Sequence, residues 1–495
     1  MESIVEPMNV FFEPRSVAVI GASRRIMKAG HVIFQNFVDN RRRGIFNGEL
    51  YPVNPNEKTI LGYTCYPSVT EIDEEIELVV IVVPAKVVPQ VMNESAAKGV
   101  KAAVIISAGF SEVGNHNLEE QVTAIAKNAG IRVLGPNCLG VYDSKTGVDM
   151  LFLPETKILT TGDEVVGTPR PMSGQIAIVT QSGAFGAAAL DYLTGKQLGI
   201  SKFVSFGNKC DVAESEMLSY LLHDERTQVI LFYAESIDAG RKFMEVAKMV
   251  TQKKPIVALK SGKTEAGARA AVSHTGAIAG SDKIYDSVFM QVGILRARDM
   301  EEFFDMGKAL AFQPPAAGKN VAVITDAGGP GIMAVDECVA RGLNVQKLSD
   351  ETIQEFKKLK REGKIPPFAT NLNPVDLTGS ATSEMFEYGT KILLEDSEIH
   401  GVIVLGMHHL PALQEDFVDL VANLAKNYTK PVVVCDIGET EMALHIRSRF
   451  DKLGIPAYFS PEDAARAMVA LVNYGLYLKK CGCFEQYLAA FFQNL

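Results

Sequence analysis

The chain has 495 residues, 47% of them hydrophobic, which is length for about three domains, each with a core of its own. Forty-nine Lys and Arg stand against 59 Asp and Glu, a net charge of −10, which argues against nucleic-acid binding as the main business of the chain. The seven cysteines have no framework spacing, Cys481 and Cys483 forming neither a zinc pair nor a redox C-x-x-C; residues 1–15 lack a charged start followed by an apolar run; and no apolar run is long enough to span a bilayer. A reducing, cytoplasmic setting with no membrane and no nucleic-acid partner is the expectation.

In chain order, "SVAVIGAS" (16–23), "LVVIVVP" (78–84), "AAVIISAGF" (102–110) and "IRVLGPN" (131–137) read as buried strands ending in small-residue turns. Helical patterns at 87–98 and 118–129 lie between them. Near-continuous apolar strands alternating with helices predict a parallel sheet covered on both faces, with ligands at the carboxyl ends of its strands. Arg41, Arg42 and Arg43 read as a solvated helix end. Residues 143–174, with Pro154, Pro169 and Pro171, read as an irregular linker closing a first domain of 1–142.

A second strand series opens at "QIAIVTQSGAFG" (175–186) and runs to 312; after the break "FQPPAAGK", a third opens at "NVAVITDAGGPG" (320–331) and gives a domain of 318–475, followed by a tail of 476–495. The stretches 175–200 and 320–345 align without gaps, each an apolar strand, a small-residue turn and a helix, and each series then carries N-x-x-D, at Asn208/Asp211 and Asn373/Asp376. Two copies of one flavodoxin-like fold account for this better than chance similarity.

Ser182 and Gly183 in one turn, and Gly328 and Gly329 in the other, begin helices; free N–H groups and the helix dipole make such ends suited to a phosphate. The two turns are expected to face one another across a pseudo-twofold axis. His274, in "AVSHTGAIAGSD", stands among small residues in what reads as a mobile, glycine-flanked loop, where an imidazole can carry a phosphoryl group if a carboxylate fixes its tautomer. Glu235, ending the strand "VILFYAE", is the candidate for that carboxylate, against a reading as a solvated strand-end acid. "SGKT" at 261–264 is not a P-loop, because the position that needs glycine holds Val257. His408 and His409 point in different directions from a strand-end loop with no third ligand, so no metal is expected there.

Together "SVAVIGAS", "YPVNP", "AGFSE", "GPNCLG", "QSGAFG", "SFGNKCDV", "YAES" and "SHTGAIAGSD" resemble, in order, the motifs of NDP-forming acyl-CoA synthetases, in particular the alpha subunit of the ADP-forming acetate type, itself similar to succinyl-CoA synthetase. The resemblance covers roughly residues 8–475. It implies an α/β chain with an N-terminal Rossmann-like CoA-binding domain followed by two flavodoxin-like domains. It also implies conversion of acyl-CoA, phosphate and ADP to carboxylic acid, CoA and ATP through an acyl phosphate and a phosphohistidine. His274 is then the phosphoryl carrier, Glu235 its orienting acid, and Ser182, Gly183, Gly328 and Gly329 the phosphate-binding helix ends.

The same resemblance puts CoA against Gly21, Ala22 and Ser23, where "GAS" is expected to open a helix, and against Lys28, Asn54, Pro55, Val83 and Pro84. Ser107 and Asn137 are candidate acyl or phosphate contacts. A dehydrogenase wants G-x-G-x-x-G after the first strand and an acid after the second; this chain offers G-A-S-R-R-I and Asn54. Cys138 is expected to pack beneath the acyl site without acting as a nucleophile. The family's nucleotide-binding ATP-grasp module is not found in this chain, nor is the acetyltransferase domain of some relatives. A separate beta subunit in an α2β2 assembly is therefore expected, holding ADP or ATP with its Mg2+. The alternative reading is a non-catalytic acyl-CoA-binding regulatory protein; retention of both His274 and Glu235 favours the enzyme.

Overall fold

The computed structural model describes residues 7–269 and 281–493, and the chain divides into two compact units, Met1–Arg296 and Ala297–Leu495. Among the described residues no helix is long and apolar enough to cross a membrane.

The first unit begins with β1 (Ser16–Ile20), α1 (Ala29–Arg42), β2 (Glu49–Val53), a short hairpin of β3 (Thr59–Ile60) and β4 (Tyr63–Thr64), β5 (Leu78–Ile81), α2 (Val88–Lys98), β6 (Ala102–Ile105), α3 (His116–Ala129) and β7 (Arg132–Leu134). The parallel sheet runs β2-β1-β5-β6-β7. Every residue of β1, β5 and β6 is buried, as a sheet covered on both faces requires, and this is why these strands read as unbroken apolar runs.

The expected helix at Gly21–Ser23 is not there: α1 starts at Ala29, after a turn. Gly21 has φ +96° and a Cβ on it would lie 2.3 Å from the Val82 carbonyl oxygen, a left-handed, crowded position that helical geometry cannot occupy. The turn folds back over the helix start, with His31 Nδ1 at 2.7 Å from the Ser23 carbonyl oxygen.

The second sheet of this unit has seven strands, ordered β16 (Leu295–Arg296), β15 (Ile256–Lys260), β14 (Val229–Ala234), β12 (Ser173–Thr180), β13 (Ile200–Ser205), β8 (Gly140–Asp143) and β9 (Val148–Asp149). Its edge is built from β8 (Gly140–Asp143) and β9 (Val148–Asp149), with a separate hairpin of β10 (Thr156–Ile158) and β11 (Glu164–Val166) whose residues are all exposed. The stretch 143–174 is thus not simply irregular; its strands are too short to show a periodicity, β9 pairs antiparallel with the adjacent β8, and β8 pairs antiparallel with β13, far away in sequence. There follow β12 (Ser173–Thr180), α4 (Gly183–Gly195), β13 (Ile200–Ser205), α5 (Glu214–His223), β14 (Val229–Ala234), α6 (Gly240–Thr251), β15 (Ile256–Lys260), α7 (Asp282–Val292) and β16 (Leu295–Arg296).

One apolar core runs through both sheets of the unit, from Met8 to Ile294. A buried ion cluster crosses it: Asp143, fully buried, accepts from Lys202 Nζ at 3.0 Å and from Arg226 Nη1 at 2.9 Å. Lys202 Nζ also lies 4.9 Å above the Phe12 ring, which stacks on Tyr220.

The second unit holds α8 (Met300–Phe312), β17 (Val321–Thr325), α9 (Gly328–Ala340), α10 (Asp350–Arg361), β18 (Val375–Asp376), α11 (Ser383–Glu395), β19 (Gly401–Leu405), α12 (Phe417–Ala425), β20 (Val432–Cys435), α13 (Glu441–Lys452), β21 (Ala457–Tyr458), α14 (Pro461–Cys481) and α15 (Phe484–Gln493). Helix α14 starts with Ser460 as its cap and Pro461 in its first turn, and ends at Gly482 with φ +71°. In α15 Phe484 and Phe491 are buried and Phe492 is exposed.

The sheet order β18-β17-β19-β20-β21 repeats β13-β12-β14-β15-β16 strand for strand, the flavodoxin-like order in both. The likeness extends to single hydrogen bonds. Thr180 Oγ1 donates to the Ser182 carbonyl oxygen at 2.9 Å and accepts from the Ser182 N–H at 3.1 Å; Thr325 Oγ1 makes the same pair with Ala327, both at 3.0 Å.

Candidate functional site

The carboxyl ends of β5, β6 and β12 in the first unit open on a cavity of about 660 Å³. Val82, Val83, Ile106, Ser107 and Ala108 line it from the first sheet, and Asn137, Cys138 and Leu139 from the turn after β7. Phe152 and Leu153 close one side, and Ser182, Gly183, Ala184 and Ala187 present the first turn of α4. Ser182 caps that helix, its Oγ accepting from the Phe185 N–H at 3.2 Å. The N–H groups of Gly183 and Ala184 belong to the first turn, where amides have no partner within the helix. A Cβ on Gly183 would meet Leu139 Cβ at 3.5 Å, an ordinary contact. The fold itself therefore does not need glycine here, and its absent side chain leaves room in the cavity.

A smaller cavity of about 100 Å³ adjoins the first, sharing Asn137 and Gln181 with it, and is lined by Glu235, Ser236, Asp238, Lys209, Asn208 and Glu112 among others. Lys209 holds φ +61° and its Nζ reaches Glu214 Oε1 at 2.7 Å and Asp238 Oδ2 at 2.9 Å. Burial works against its charge, but Glu214 and Asp238 outweigh it and hold the pKa above that of an ordinary lysine. Asn208 Nδ2 donates to Glu112 Oε2 at 2.7 Å and Glu119 Oε2 at 2.8 Å; despite burial, these donors and backbone amides keep the Glu112 carboxyl low.

Of the residues singled out in the sequence, Val83, Ser107, Asn137, Ser182 and Gly183 line the larger cavity, and Asn137 and Glu235 the smaller. Ser107 has its hydroxyl in use, donating to the Val83 carbonyl oxygen at 2.5 Å. Asn54 braces the turn after β1, donating to the Ala22 carbonyl oxygen at 2.8 Å and accepting from the Asn56 N–H at 2.9 Å. Lys28 is the exposed cap residue of α1. Gly21, Ala22, Ser23, Pro55 and Pro84 are not among the lining residues. Cys138 is buried, its thiol pushed up to about 12 by burial, which accords with packing rather than nucleophilic chemistry. His274 lies outside the described residues.

Gly328 and Gly329 begin α9 in the second unit. There a Cβ on Gly328 would lie 3.0 Å from Asp376 Oδ2, so a carboxylate already stands at this helix end. Its counterpart Asp211 instead pairs with Arg132 at 2.8 Å. His408 and His409 do not diverge: a turn brings their rings to 3.9 Å, and His408 Nδ1 lies 2.6 Å from Asp436 Oδ1. Among the described residues no group of three or more His, Cys, Asp or Glu could hold a metal ion. The sequence reading missed Gln181, Lys209, Glu214 and Asp238; the signal within reach was the gapless alignment, which sets Gln181 against Asp326.

A CoA binding domain model matches residues 15–144, a succinyl-CoA ligase like flavodoxin domain 173–310, and a ligase-CoA domain 321–474. The alpha subunit of ADP-forming acetate–CoA ligase I of Pyrococcus furiosus is 38% identical over 484 residues, 96% of this chain and 99% of that one. The ADP-forming acetate–CoA ligase of Methanocaldococcus jannaschii is also 38% identical, over 96% of this chain; the chain spans 64% of that longer protein. The solved dinucleotide forming acetyl-coenzyme A synthetase 1 of Candidatus Korarchaeum cryptofilum, in complex with phosphate and ADP, has 37% identity and a TM-score of 0.85, covering 96% of this chain and 98% of that one. The chain belongs to the family of ADP-forming acyl-CoA synthetases, among their alpha subunits.

Proposed function

We propose that this chain carries the first half of an ADP-forming acyl-CoA synthetase reaction of the acetate–CoA ligase type. The observation that carries the reading is the larger cavity, where strand ends of a CoA-binding domain meet the capped amide turn at Ser182–Gly183. The thioester lies in that cavity with its acyl group beside Ser107. A phosphate oxygen attacks the carbonyl carbon, the C–S bond breaks and CoA leaves as thiolate, giving an acyl phosphate. The Gly183 and Ala184 amides hold the phosphoryl oxygens through fixed dipoles, and Asn137 lies beside them. An imidazole nitrogen of His274 then attacks phosphorus, and the P–O bond to the acyl group breaks to release the carboxylate. The Glu235 carboxylate accepts a hydrogen bond from the N–H of the other ring nitrogen, fixing the tautomer and steadying the positive charge that develops on the ring. Phosphohistidine finally passes its phosphoryl group to a terminal oxygen of ADP.

ADP with its Mg2+ is assigned to a separate ATP-grasp beta subunit, in an α2β2 assembly in the cytoplasm. The CoA phosphates and nucleotide are assigned to Gly21, Ala22, Ser23, Lys28, Asn54, Pro55, Val83 and Pro84; Gly328 and Gly329 are assigned a phosphate-binding role at the start of α9. Domains of 1–142, 175–312 and 318–475 divide these tasks. The test is to incubate the purified protein with labelled phosphate and a panel of acyl-CoAs, with and without the beta subunit, and to look for acid-labile, base-stable label. Label that depends on an acyl-CoA and vanishes in His274→Ala is expected. CoA binding without label, even with the beta subunit present, would overturn the reading in favour of a regulatory acyl-CoA-binding protein.

A further inference from the structure

Gln181 directly follows the central strand β12 and stands immediately before the Ser182 cap of α4. It is 9% exposed and shared by both cavities. Its Oε1 accepts from the backbone N–H groups of Glu235 at 2.5 Å and Ser236 at 2.9 Å. Its Nε2 donates to Glu214 Oε1 at 2.6 Å and to the Ser236 carbonyl oxygen at 2.7 Å. A side-chain amide has two donor hydrogens and two acceptor lone pairs, and here all four are used. One side chain therefore ties the amide turn of α4 to the backbone that carries Glu235. Through Glu214 Oε1, which Lys209 Nζ also reaches at 2.7 Å, it is joined to the floor of the smaller cavity.

The second copy of the fold shows that the scaffold does not need this clamp. At the matched position Asp326 Oδ2 accepts from the Met407 N–H at 3.0 Å, the counterpart of the bond from Glu235. Asp326 has no N–H to donate, and its Oδ1 is buried with no partner among the described residues. Where the clamp is reduced in this way, the residue in place of Glu235 is Met407 and carries no acid. The full clamp and the acid occur together.

Resting on the function proposed above, we propose that Gln181 is a positioning residue for the acyl-phosphate and phosphohistidine steps, fixing the Glu235 carboxylate relative to the Ser182–Gly183 amides. A displacement of about 1 Å between reacting groups costs roughly a hundredfold in rate, so the clamp acts on phosphoryl transfer and little on acyl-CoA affinity.

Two variants test it by single-turnover labelling of the full chain with acyl-CoA and labelled phosphate, beside a direct acyl-CoA titration. Gln181→Met keeps the length and removes all four bonds. Gln181→Glu keeps the acceptor for Glu235 and Ser236 but turns an oxygen toward Glu214 and the Ser236 carbonyl; the charged groups around it are Glu112, Lys209, Glu214, Glu235 and Asp238. Expected are acyl-CoA dissociation constants within about threefold of the parent and labelling slowed about a hundredfold in Gln181→Met. In Gln181→Glu the loss is largest at high pH and is relieved as pH falls, when the introduced carboxyl takes a proton and can donate again. Labelling at parental rates in both variants, a pH profile in Gln181→Glu parallel to the parent's, or loss of acyl-CoA binding in step with labelling would each overturn the inference. A parent protein that takes no label with any acyl-CoA would instead overturn the function on which it rests.

Discussion

Gly183→Ala separates what the fold needs from what a ligand needs. Gly183 is the first residue of α4 and is not among the glycines with positive φ. The added methyl would meet Leu139 Cβ at 3.5 Å and Leu139 N at 4.0 Å, both ordinary contacts, so nothing in the protein has to move. Alanine also has fewer unfolded conformations to lose, which favours the folded variant by about 0.4–1 kcal/mol. The same methyl projects into the cavity beside the amides proposed to hold the phosphoryl group. Alanine keeps the N–H, but a methyl that bars a phosphoryl oxygen from reaching it has the effect of losing one such donor, about 10²–10³ in rate, or roughly 3–4 kcal/mol of transition-state stabilisation. The expected result is a melting temperature equal to or above the parent's, with single-turnover phosphohistidine formation slowed at least a hundredfold. Gly21→Ala is the control: its Cβ would lie 2.3 Å from the Val82 carbonyl oxygen in a residue at φ +96°, so stability itself falls. Gly183→Ala with raised stability and unchanged labelling would refute the placement of the phosphoryl group at this helix end.

The buried carboxyl of Asp326 predicts a pH effect on the second unit. Burial first, then Asp436 and Asp376, raise its pKa to about 6 from an ordinary 3.8, so the folded state keeps a proton that the unfolded chain releases. Stability falls as pH rises from about 4 to about 6, by about 3 kcal/mol in all. Asp326→Asn, which still accepts from Met407, should raise the melting temperature at pH 7–8 and lose that advantage near pH 4. Asp143→Ala strands Lys202, 1% exposed, with Asp224 at 3.2 Å; denaturant titration should show a loss of about 3–5 kcal/mol. Asp143→Leu with Lys202→Met should lose less, because Asp224 and Arg226 remain 3.9 Å apart. Cys138, its thiol at about 12, should resist iodoacetamide at pH 7.5 in the folded protein and react once denatured, as mass spectrometry of the labelled peptide would show.

Strands such as β1, β5 and β6 were legible because burial on both faces writes itself as a run of apolar residues, and the site turns were legible because they follow those runs directly. Ser182, Gly183, Asn137 and Glu235 stand out in this way as residues at strand ends, and all four line the cavities. The start of α1 was not legible: the turn before it is set by the approach of Gly21 to Val82, a contact between strands that no local pattern encodes. The strands β8 and β9 were missed for a related reason: they are two to four residues long, and it is the antiparallel pairing of β8 with the distant β13 that fixes them in the sheet. Gln181, Lys209, Glu214 and Asp238 each look like ordinary polar loop or helix residues. Their meaning is in bonds across 55 residues or fewer, such as that from Gln181 to Ser236, which exist only after β12 and β14 are side by side.

The duplicated fold makes the division between scaffold and chemistry visible in a single chain. Thr180 and Thr325 make the same pair of bonds, and Gln181 and Asp326 receive the same backbone N–H, so the geometry at the two central strand ends was inherited intact. What differs is the next layer of side chains. The first copy has an amide with every hydrogen-bonding site used, a lysine held by two carboxylates and an acid at Glu235. The second has Met407 in place of that acid, Asp376 standing against the α9 end, and two buried carboxylate oxygens, on Asp326 and Asp436, without a partner among the described residues. An anion approaching α9 meets a carboxylate, whereas one approaching α4 meets free amides beside a cavity. Equal backbones with unequal charge therefore give the two helix ends proposed to bind phosphate different surroundings, a difference that rests on side chains the fold leaves free to vary.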